Sequence, residues 1–202
     1  MKKVVMEKVN SKNVWKILKL EVNDNQKDFV ATNTESIVEA YTTIEAGGVA
    51  LPFGIFAEGV PVGFIMIGYG EVPEEDNPSI AKGNYSIWRF MIDRKYQGKG
   101  YAKQAMKLAL DYIQSMPCGP AECCFLSYEP ENTAAAKLYH SFGFEETGEY
   151  DEDEIIAKRI LWLRIKEGNV KAYNLYSKYG FVKSGKVHKL SEDISELVMV
   201  LK

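Results

Sequence analysis

Arg94-Lys95-Tyr96-Gln97-Gly98-Lys99-Gly100-Tyr101-Ala102 is the stretch that decides the fold of this chain of 202 residues. It follows a β-rich run, Tyr85 to Ile92, and precedes a helical pattern from Tyr101 to Met116, which Pro117 stops. Glycines in such a turn let backbone N–H groups approach an anion, and the helix N-terminus adds its dipole. Positions 94–107 hold five basic residues and no acidic one, which favours an anion site over a plain tight turn.

Two better-known phosphate loops do not fit this stretch. A Walker P-loop needs GxxxxGK followed by Ser or Thr, and that pattern is missing from the sequence here. A dinucleotide fingerprint needs a third glycine where Lys103 stands and a preceding βαβ unit. The loop therefore predicts an anion site of another kind.

Working outward, hydrophobic periodicity predicts the elements upstream of the loop. Ser11 caps a short helix, and Asn33 or Thr34 caps a second helix with an apolar face. The residues of that face are Ile37, Val38, Tyr41 and Ile44. Two β-rich runs, 53–57 and 62–67, then flank the turn Glu58-Gly59-Val60-Pro61, which indicates a hairpin.

Downstream of the loop, the pattern predicts a strand from Glu122 to Tyr128, a helix that begins at Asn132 and ends at Gly143, and a β-pair over 144–161. The predicted fold class is therefore α/β (α+β), with a mixed, mostly antiparallel sheet flanked by helices.

A duplication lies in the C-terminal part of the chain. Residues 126–148 match residues 163–185 without a gap. The identical pairs are Leu126/Leu163, Asn132/Asn169, Ala135/Ala172, Leu138/Leu175, Tyr139/Tyr176, Gly143/Gly180, Phe144/Phe181 and Gly148/Gly185. Chance similarity between two amphipathic helices is disfavoured, because the matched Asn, Gly and Phe lie outside a helical stripe. We expect a domain over 1–161 and a partial repeat over 162–202, packed on that domain or completing it.

Two of these motifs together resemble the GCN5-related N-acetyltransferase (GNAT) superfamily. Gln97-x-x-Gly100-x-Ala102 is similar to the loop that holds the pyrophosphate of acetyl-CoA in that family, and the segment 132–144 is similar to its second signature. The resemblance covers roughly residues 85–150 and implies a GNAT fold with acetyl-CoA as co-substrate. Within the superfamily, Gln26-x-x-Phe29-Val30, Pro61-Val62-Gly63-Phe64 and the run 89–100 look most like bacterial spermine/spermidine (diamine) acetyltransferases.

The resemblance also implies roles for particular residues. Tyr139 would be the general acid, since a phenol is protonated at neutral pH, and Tyr176 is its duplicate and the alternative. The implied cofactor-binding residues are Met91, Ile92, Gln97, Gly98, Lys99, Gly100, Tyr101, Ala102 and Asn132.

The acceptor side is less defined by the sequence. The run 71–76 has four acids and no base, so Glu71, Glu75 and Asp76 are candidates to attract a cationic polyamine, although such a run is usually a solvated loop. The sequence does not identify the general base, because Trp88 and Arg89 stand where related polyamine enzymes can place a carboxylate.

Composition limits the remaining possibilities. The net charge of −3 argues against a nucleic-acid or membrane-surface protein. This small value hides strong local charges, since residues 94–107 carry +5 and residues 145–154 carry −7. Three cysteines without a CxxC pair indicate buried reduced thiols, and two histidines leave little for a metal site or a Ser-His-Asp triad. The sequence shows neither a leader pattern nor a membrane span, so we expect a cytoplasmic protein without a metal, with a homodimer as one option.

The expected activity is acetyl transfer to a polyamine such as spermidine or spermine. The alternatives are a GNAT enzyme that acetylates a protein or peptide amine or an aminoglycoside, and a non-catalytic CoA-binding assembly module.

Overall fold

The computed structural model describes residues 2–70, 78–189 and 194–201, except for the side chain of His188. The candidate acceptor residues Glu71, Glu75 and Asp76 lie outside these described residues. The chain divides into two compact units, 1–159 and 160–202. The expected packing of the second unit on the first stays a prediction.

Seven strands form the sheet of the first unit in the described part of the chain, in the order β1-β2-β3-β4-β5-β7-β6. The strands are β1 Val4–Lys8, β2 Val49–Ala57, β3 Val60–Tyr69, β4 Tyr85–Ile92, β5 Cys123–Tyr128, β6 Glu145–Asp151 and β7 Glu154–Ile160. The α-helices are α1 Val14–Ile17, α2 Asn33–Glu45, α3 Tyr101–Gln114 and α4 Thr133–Ser141, with 3-10 turns at Asp24–Phe29 and Ser79–Ala81. The pairs β1–β2, β2–β3, β3–β4 and β6–β7 are antiparallel and β4–β5 is parallel, which confirms the expected fold class.

The hairpin β2–β3 is covered on both faces, which explains its nearly continuous apolar sequence. Successive side chains of a strand point to opposite faces. Phe53 accordingly meets Tyr112 of α3, with ring centroids 5.2 Å apart, whereas Phe56 joins the cluster of Ile17 and Ala40 from α1 and α2. A Cβ at Gly63 would lie 2.5 Å from the carbonyl oxygen of Met91, so this glycine allows β3 and β4 to approach each other closely.

Helix α2 departs from the sequence-based expectation. Its N-cap is Thr32, in a capping box with Glu35, rather than Asn33 or Thr34. Of the expected apolar face, Ile37 packs against the core, but the other three side chains are 50–64% exposed, namely Val38, Tyr41 and Ile44. The buried positions of α2 are the small or polar residues Asn33, Ser36, Ala40 and Thr43. Short side chains on this face let the helix lie close to the sheet, and Asn33 donates a hydrogen bond to the carbonyl of Ile17 (2.8 Å).

The second unit repeats the topology of the end of the first. It contains β8 Trp162–Lys166, α5 Val170–Lys178, β9 Phe181–Lys189 and β10 Ser195–Leu201, and among its described residues the strand order is β8-β10-β9. This order matches β5-β7-β6, so the duplication extends through a third strand. Ile165, Phe181 and Met199 form its small core.

Candidate functional site

Strands β4 and β5 separate in the middle of the sheet, and this separation creates the groove of the site. Both strands lie wholly within the described residues, and they pair with each other only at Tyr85 with Cys124 and at Ser86 with Phe125. Beyond that point β4 continues to Ile92 against β3, without a partner on its β5 side. Backbone polar groups on that side are then available to an extended ligand, because unpaired buried peptide groups need a partner.

Met91 and Ile92 lie along the separated part of β4 with buried side chains. The amide of Asp93 donates to the carbonyl of Val62 on β3 (2.9 Å). Backbone groups of successive residues in a strand point to opposite neighbours. The N–H of Ile92, one of the implied cofactor-binding residues, is therefore directed to the gap.

The loop after β4 has the geometry of an anion site. Gly98 and Gly100 adopt left-handed backbone conformations (φ 71° and 77°), which favour glycine. Gly100 is the N-cap of α3 and has no side chain that could accept hydrogen bonds from the first turn. The first-turn N–H groups of α3 are therefore left for a ligand. Lys95, Lys99 and Lys103 extend exposed side chains around this end of the helix. Both the dipole and the cations attract a negative group here.

The carboxylate of Asp93 fixes the start of the loop. This side chain is 4% exposed, and it accepts hydrogen bonds from the amides of Lys95 and Glu21, each at 3.0 Å. Arg94 adds an ion pair with Glu21 (3.0 Å) and a backbone bond to the Glu21 carbonyl. Sequence reasoning missed this role of Asp93, although a carboxylate directly after a strand and before a glycine turn is a common loop-fixing pattern.

The side chain of Gln97 is bound to the protein itself. Its amide nitrogen donates to the Ile92 carbonyl (2.9 Å) and to Gln26 (2.8 Å), and its oxygen accepts from Asn23 (3.0 Å). These contacts join the loop to the 3-10 turn Asp24–Phe29, which sequence reasoning did not foresee. Of the implied cofactor-binding residues, Gln97 would therefore act through its backbone rather than its side chain. Tyr101 likewise has a buried ring, 7% exposed, whereas Ala102 lies in the first turn of α3.

Helix α4 presents the second signature beside the separated strands. Asn132 is its N-cap, and the side-chain oxygen accepts from the amide of Ala135 (3.2 Å). Tyr139 is 8% exposed and lies between Tyr128 of β5 and Phe144, with ring centroids 5.6 and 6.1 Å away. Burial raises the pKa of Tyr139 well above its ordinary value, and the nearby Glu154 and Tyr128 raise it further. The phenol therefore stays protonated at neutral pH.

Tyr128 connects this cluster to β6. Its hydroxyl donates to the carboxylate of Glu146 (2.9 Å). Burial, together with this hydrogen bond, raises the pKa of Tyr128 to about 12. Tyr128 and Tyr139 therefore form a protonated pair at the end of β5.

A small open cleft lies where β4 and β5 begin to separate. Its lining residues are Gly68, Tyr69, Gly70, Pro78, Ala81, Ser86, Ile87, Trp88, Phe125, Leu126, Ser127 and Asp151. Gly70 and Pro78, which flank the segment outside the described residues, both belong to this lining.

Carboxylates gather near the end of β5, and sequence reasoning named none of them individually. Glu154 contacts the hydroxyl of Ser127, which lines the cleft. The pKa of Glu129 is raised by desolvation and then by the negative charges of Glu154, Glu131, Asp153 and Asp28. The signal in the sequence was the run of seven acids over 145–154, from which Glu154 is brought to the site.

The alternative catalytic residue, Tyr176, belongs to the second unit. Its ring packs on Phe181, with centroids 6.1 Å apart, in the small core of that unit. The loop and the separated strand β4 belong to the first unit, where Tyr139 lies.

The thiols do not add reactive groups to the site. Cys123 and Cys124 are buried and reduced, and Cys118 is partly exposed and reduced. Burial raises the pKa of Cys123 to about 11, so its thiol stays protonated at neutral pH. The described ranges contain no group of three or more residues able to hold a metal ion. They also contain no helix with the length and hydropathy of a membrane span.

Comparisons with known proteins bear on the family and the fold. The profile of the acetyltransferase (GNAT) family matches residues 15–144. A spermine/spermidine N(1)-acetyltransferase of Bacillus subtilis (strain 168) is 32% identical over 137 residues, which cover 67% of this chain and 83% of the relative. A probable spermine N(1)-acetyltransferase of Bacillus subtilis subsp. natto has the same identity and coverage.

Solved structures share the fold at low identity. An aminoglycoside acetyltransferase in complex with coenzyme A aligns with a TM-score of 0.64 and 14% identity, over 78% of this chain and 95% of its own. The PaiA N-acetyltransferase of Thermoplasma acidophilum, also with coenzyme A, aligns with a TM-score of 0.55 and 12% identity, over 78% and 99%.

Proposed function

This chain belongs to the acetyltransferase (GNAT) family, and on that premise we propose that it transfers the acetyl group of acetyl-CoA to a primary amine of a polyamine such as spermidine or spermine. The amine attacks directly while both substrates are bound. The reaction takes place in the gap between β4 and β5. The protein acts in the cytoplasm.

The observation that carries the polyamine assignment is the concentration of negative charge at the end of β5. Glu154, Glu131 and Asp153 act electrostatically on Glu129 there, together with Asp28 from the 3-10 turn. Several carboxylates close together are costly unless cations compensate them, and a polyamine carries several positive charges on a narrow chain. The spermine/spermidine relative supports the same substrate class.

The groove fits the donor substrate. The Ile92 N–H directed to the gap would bind the acetyl carbonyl oxygen, and β4 beside it would pair with the pantetheine arm as a missing strand does. The amides of Gly98 to Ala102 and the cations Lys99 and Lys103 would bind the pyrophosphate. The cap of α4 uses the amide oxygen of Asn132, which leaves the amide nitrogen to donate to the pantetheine arm.

Tyr139 would complete the reaction as general acid. The C–N bond forms as the amine attacks the thioester carbon, and the C–S bond breaks. Tyr139 gives its proton to the departing sulfur, because its raised pKa keeps the phenol protonated until then. The amine loses one proton in the same reaction, so the products are the N-acetylated amine and a free thiol.

Release of that thiol tests the proposal. The full-length protein is mixed with acetyl-CoA, a thiol reagent and, separately, spermidine, spermine, kanamycin or a lysine-containing peptide. We expect turnover with the two polyamines and at least tenfold lower kcat/KM with kanamycin and the peptide. Turnover with the peptide or kanamycin alone would establish the corresponding alternative activity. Calorimetric binding of CoA without turnover on these amines would indicate the assembly module instead.

A further inference from the structure

The side chain of Gln97 binds a backbone group at the edge of the gap. Its amide nitrogen donates to the carbonyl of Ile92 at 2.9 Å. That carbonyl and the amide of Asp93 belong to one peptide group, and this amide donates to the carbonyl of Val62 on β3, also at 2.9 Å. The peptide group at the end of β4 is therefore held from both sides, by β3 and by Gln97.

This bond changes what β4 offers to a ligand. In a strand, the N–H and the C=O of one residue point to the same side, so both groups of Ile92 are directed to the gap. The oxygen of a thioester carbonyl would be attracted by the N–H and repelled by the C=O, because both oxygens carry partial negative charge. With its carbonyl bound to Gln97, Ile92 presents its N–H to such an oxygen.

A second glutamine fixes the orientation of the first. The amide nitrogen of Gln97 also donates to Gln26 Oε1 (2.8 Å), and the side-chain oxygen of Gln97 accepts from Asn23 Nδ2 (3.0 Å). Gln26 Oε1 further accepts from the backbone amide of Asn23 (3.2 Å). A backbone carbonyl can only accept and a backbone amide can only donate, so the contacts to Ile92 and Asn23 determine which way both carboxamides face. Gln26 acts here as an acceptor, and Gln97 acts as a donor.

The loop has other anchors besides Gln97. The buried carboxylate of Asp93 accepts from the amides of Lys95 and Glu21, and Arg94 forms an ion pair with Glu21. These contacts already attach the start of the loop to the segment before the 3-10 turn Asp24–Phe29. A carboxamide that reaches back from position 97 to the last peptide group of β4 therefore indicates a role at the gap.

We propose that Gln97, held by Gln26, is a positioning residue for acetyl transfer, because it occupies the Ile92 carbonyl and leaves the N–H of the same residue to bind the acetyl carbonyl oxygen. The inference rests on the proposed acetyl transfer. Negative charge grows on that oxygen as the amine attacks, and a donor that is already oriented stabilises the charge without rearrangement. Gln97 acts through Ile92 and does not touch the reacting atoms.

The test makes the same change, amide to carboxylate, at three positions of the full-length protein. Gln97→Glu loses the donor and places a carboxylate against the oxygens of Ile92 and Gln26, so we expect kcat on spermidine to fall about 30-fold. Gln26→Glu keeps its acceptor and should stay within about twofold of the wild-type kcat. Asn25→Asp adds the same charge at an exposed position of the same turn and should leave kcat unchanged.

A neutral variant separates positioning from charge and from folding. Gln26→Leu removes the acceptor without adding a charge and should lower kcat about fivefold, which Gln26→Glu should restore. In Gln97→Glu and Gln26→Leu, the KM for acetyl-CoA should change less than kcat, and Tm should fall by no more than about 4 °C. If Gln97→Glu does not fold, the two Gln26 variants carry the test, and an equal kcat in both would overturn the inference.

The outcomes separate this inference from the function on which it rests. Equal losses of kcat in Gln97→Glu, Gln26→Glu and Asn25→Asp would show an effect of charge alone and overturn the inference. A higher KM for acetyl-CoA with unchanged kcat in Gln97→Glu would also overturn it. In both cases, turnover of spermidine by the wild type would leave the proposed function standing. Absence of wild-type turnover on any amine would remove the proposed function and the inference with it.

Discussion

The two copies of the strand-helix-strand unit have the same local structure and different surroundings. Asn132 and Asn169 cap their helices in the same way, with the side-chain oxygen accepting from the third residue onward at 3.2 and 3.1 Å. The tyrosine and phenylalanine rings lie 6.1 Å apart in both copies. The strand order is also the same. Matching sequence therefore produces matching caps, ring contacts and topology.

The difference lies in what precedes each copy. In the first unit β5 pairs with β4 and then separates from it, whereas β8 is an edge strand of its three-stranded sheet in the described part of the chain. Tyr139 is buried, but helix α5 has no buried residue among its nine positions. A local motif thus supplies a tyrosine twice, and the first of the two lies in the unit that holds the separated strand and the glycine loop.

The largest expected contrast is between the two tyrosines. Tyr139→Phe should lower kcat for acetyl transfer to spermidine about 100-fold, because it removes the proton donor to the sulfur. Tyr176→Phe should leave kcat within twofold. Steady-state kinetics of the two variants measures this directly, with CoA affinity by calorimetry as the control for folding. A large loss in Tyr176→Phe with full activity in Tyr139→Phe would reverse the assignment of the copies.

A smaller contrast concerns two glycines with positive φ. Gly98 in the loop and Gly185 in the second copy have φ of 71° and 80°, and a Cβ at either would meet no atom within 4 Å. At either position, an alanine held in this left-handed conformation would raise the energy of the folded chain by about 1 kcal/mol without a steric clash. We expect Gly98→Ala to raise the KM for acetyl-CoA roughly fivefold and Gly185→Ala to leave it unchanged. An equal KM for both variants would contradict the proposed role of the loop.

The smallest effect should be the same in both copies. Asn132→Ala and Asn169→Ala each remove one N-cap, which costs about 1 kcal/mol of local helix stability. Amide hydrogen exchange should accelerate about fivefold in α4 for the first variant and in α5 for the second. If only one of the two helices responds, the copies are not locally equivalent, and the comparison between them no longer holds.

Some parts of this structure follow from local sequence and others depend on tertiary packing. The turn at Glu58-Gly59, the glycine loop and the caps at Asn132 and Asn169 have local signatures, because positive φ and capping require particular residues. The exposed face of α2 does not follow from periodicity. The face of α2 that is buried is the one with short side chains such as Ser36 and Ala40, because these let the helix lie close to the sheet.

The candidate site shows the same division. The residues of the loop are contiguous, so a single motif predicts them. Glu154 and Ser127 are 27 positions apart and meet only because β7 lies beside β5 in the sheet, although β6 comes between them in the chain. The hydrogen bonds of Gln97 to Gln26 and Asn23 similarly join segments more than 70 positions apart. Such contacts depend on topology that periodicity does not encode.

Hydrogen–deuterium exchange of the full-length protein with and without CoA tests most directly whether the first copy alone holds the cofactor. The account predicts slower exchange in the presence of CoA at positions 91–104 and 132–136, and unchanged exchange at 169–178 in the second copy. Protection of 169–178 with unchanged exchange at 91–104 would contradict it, because the cofactor would then bind at the copy that lacks both the loop and the separated strand.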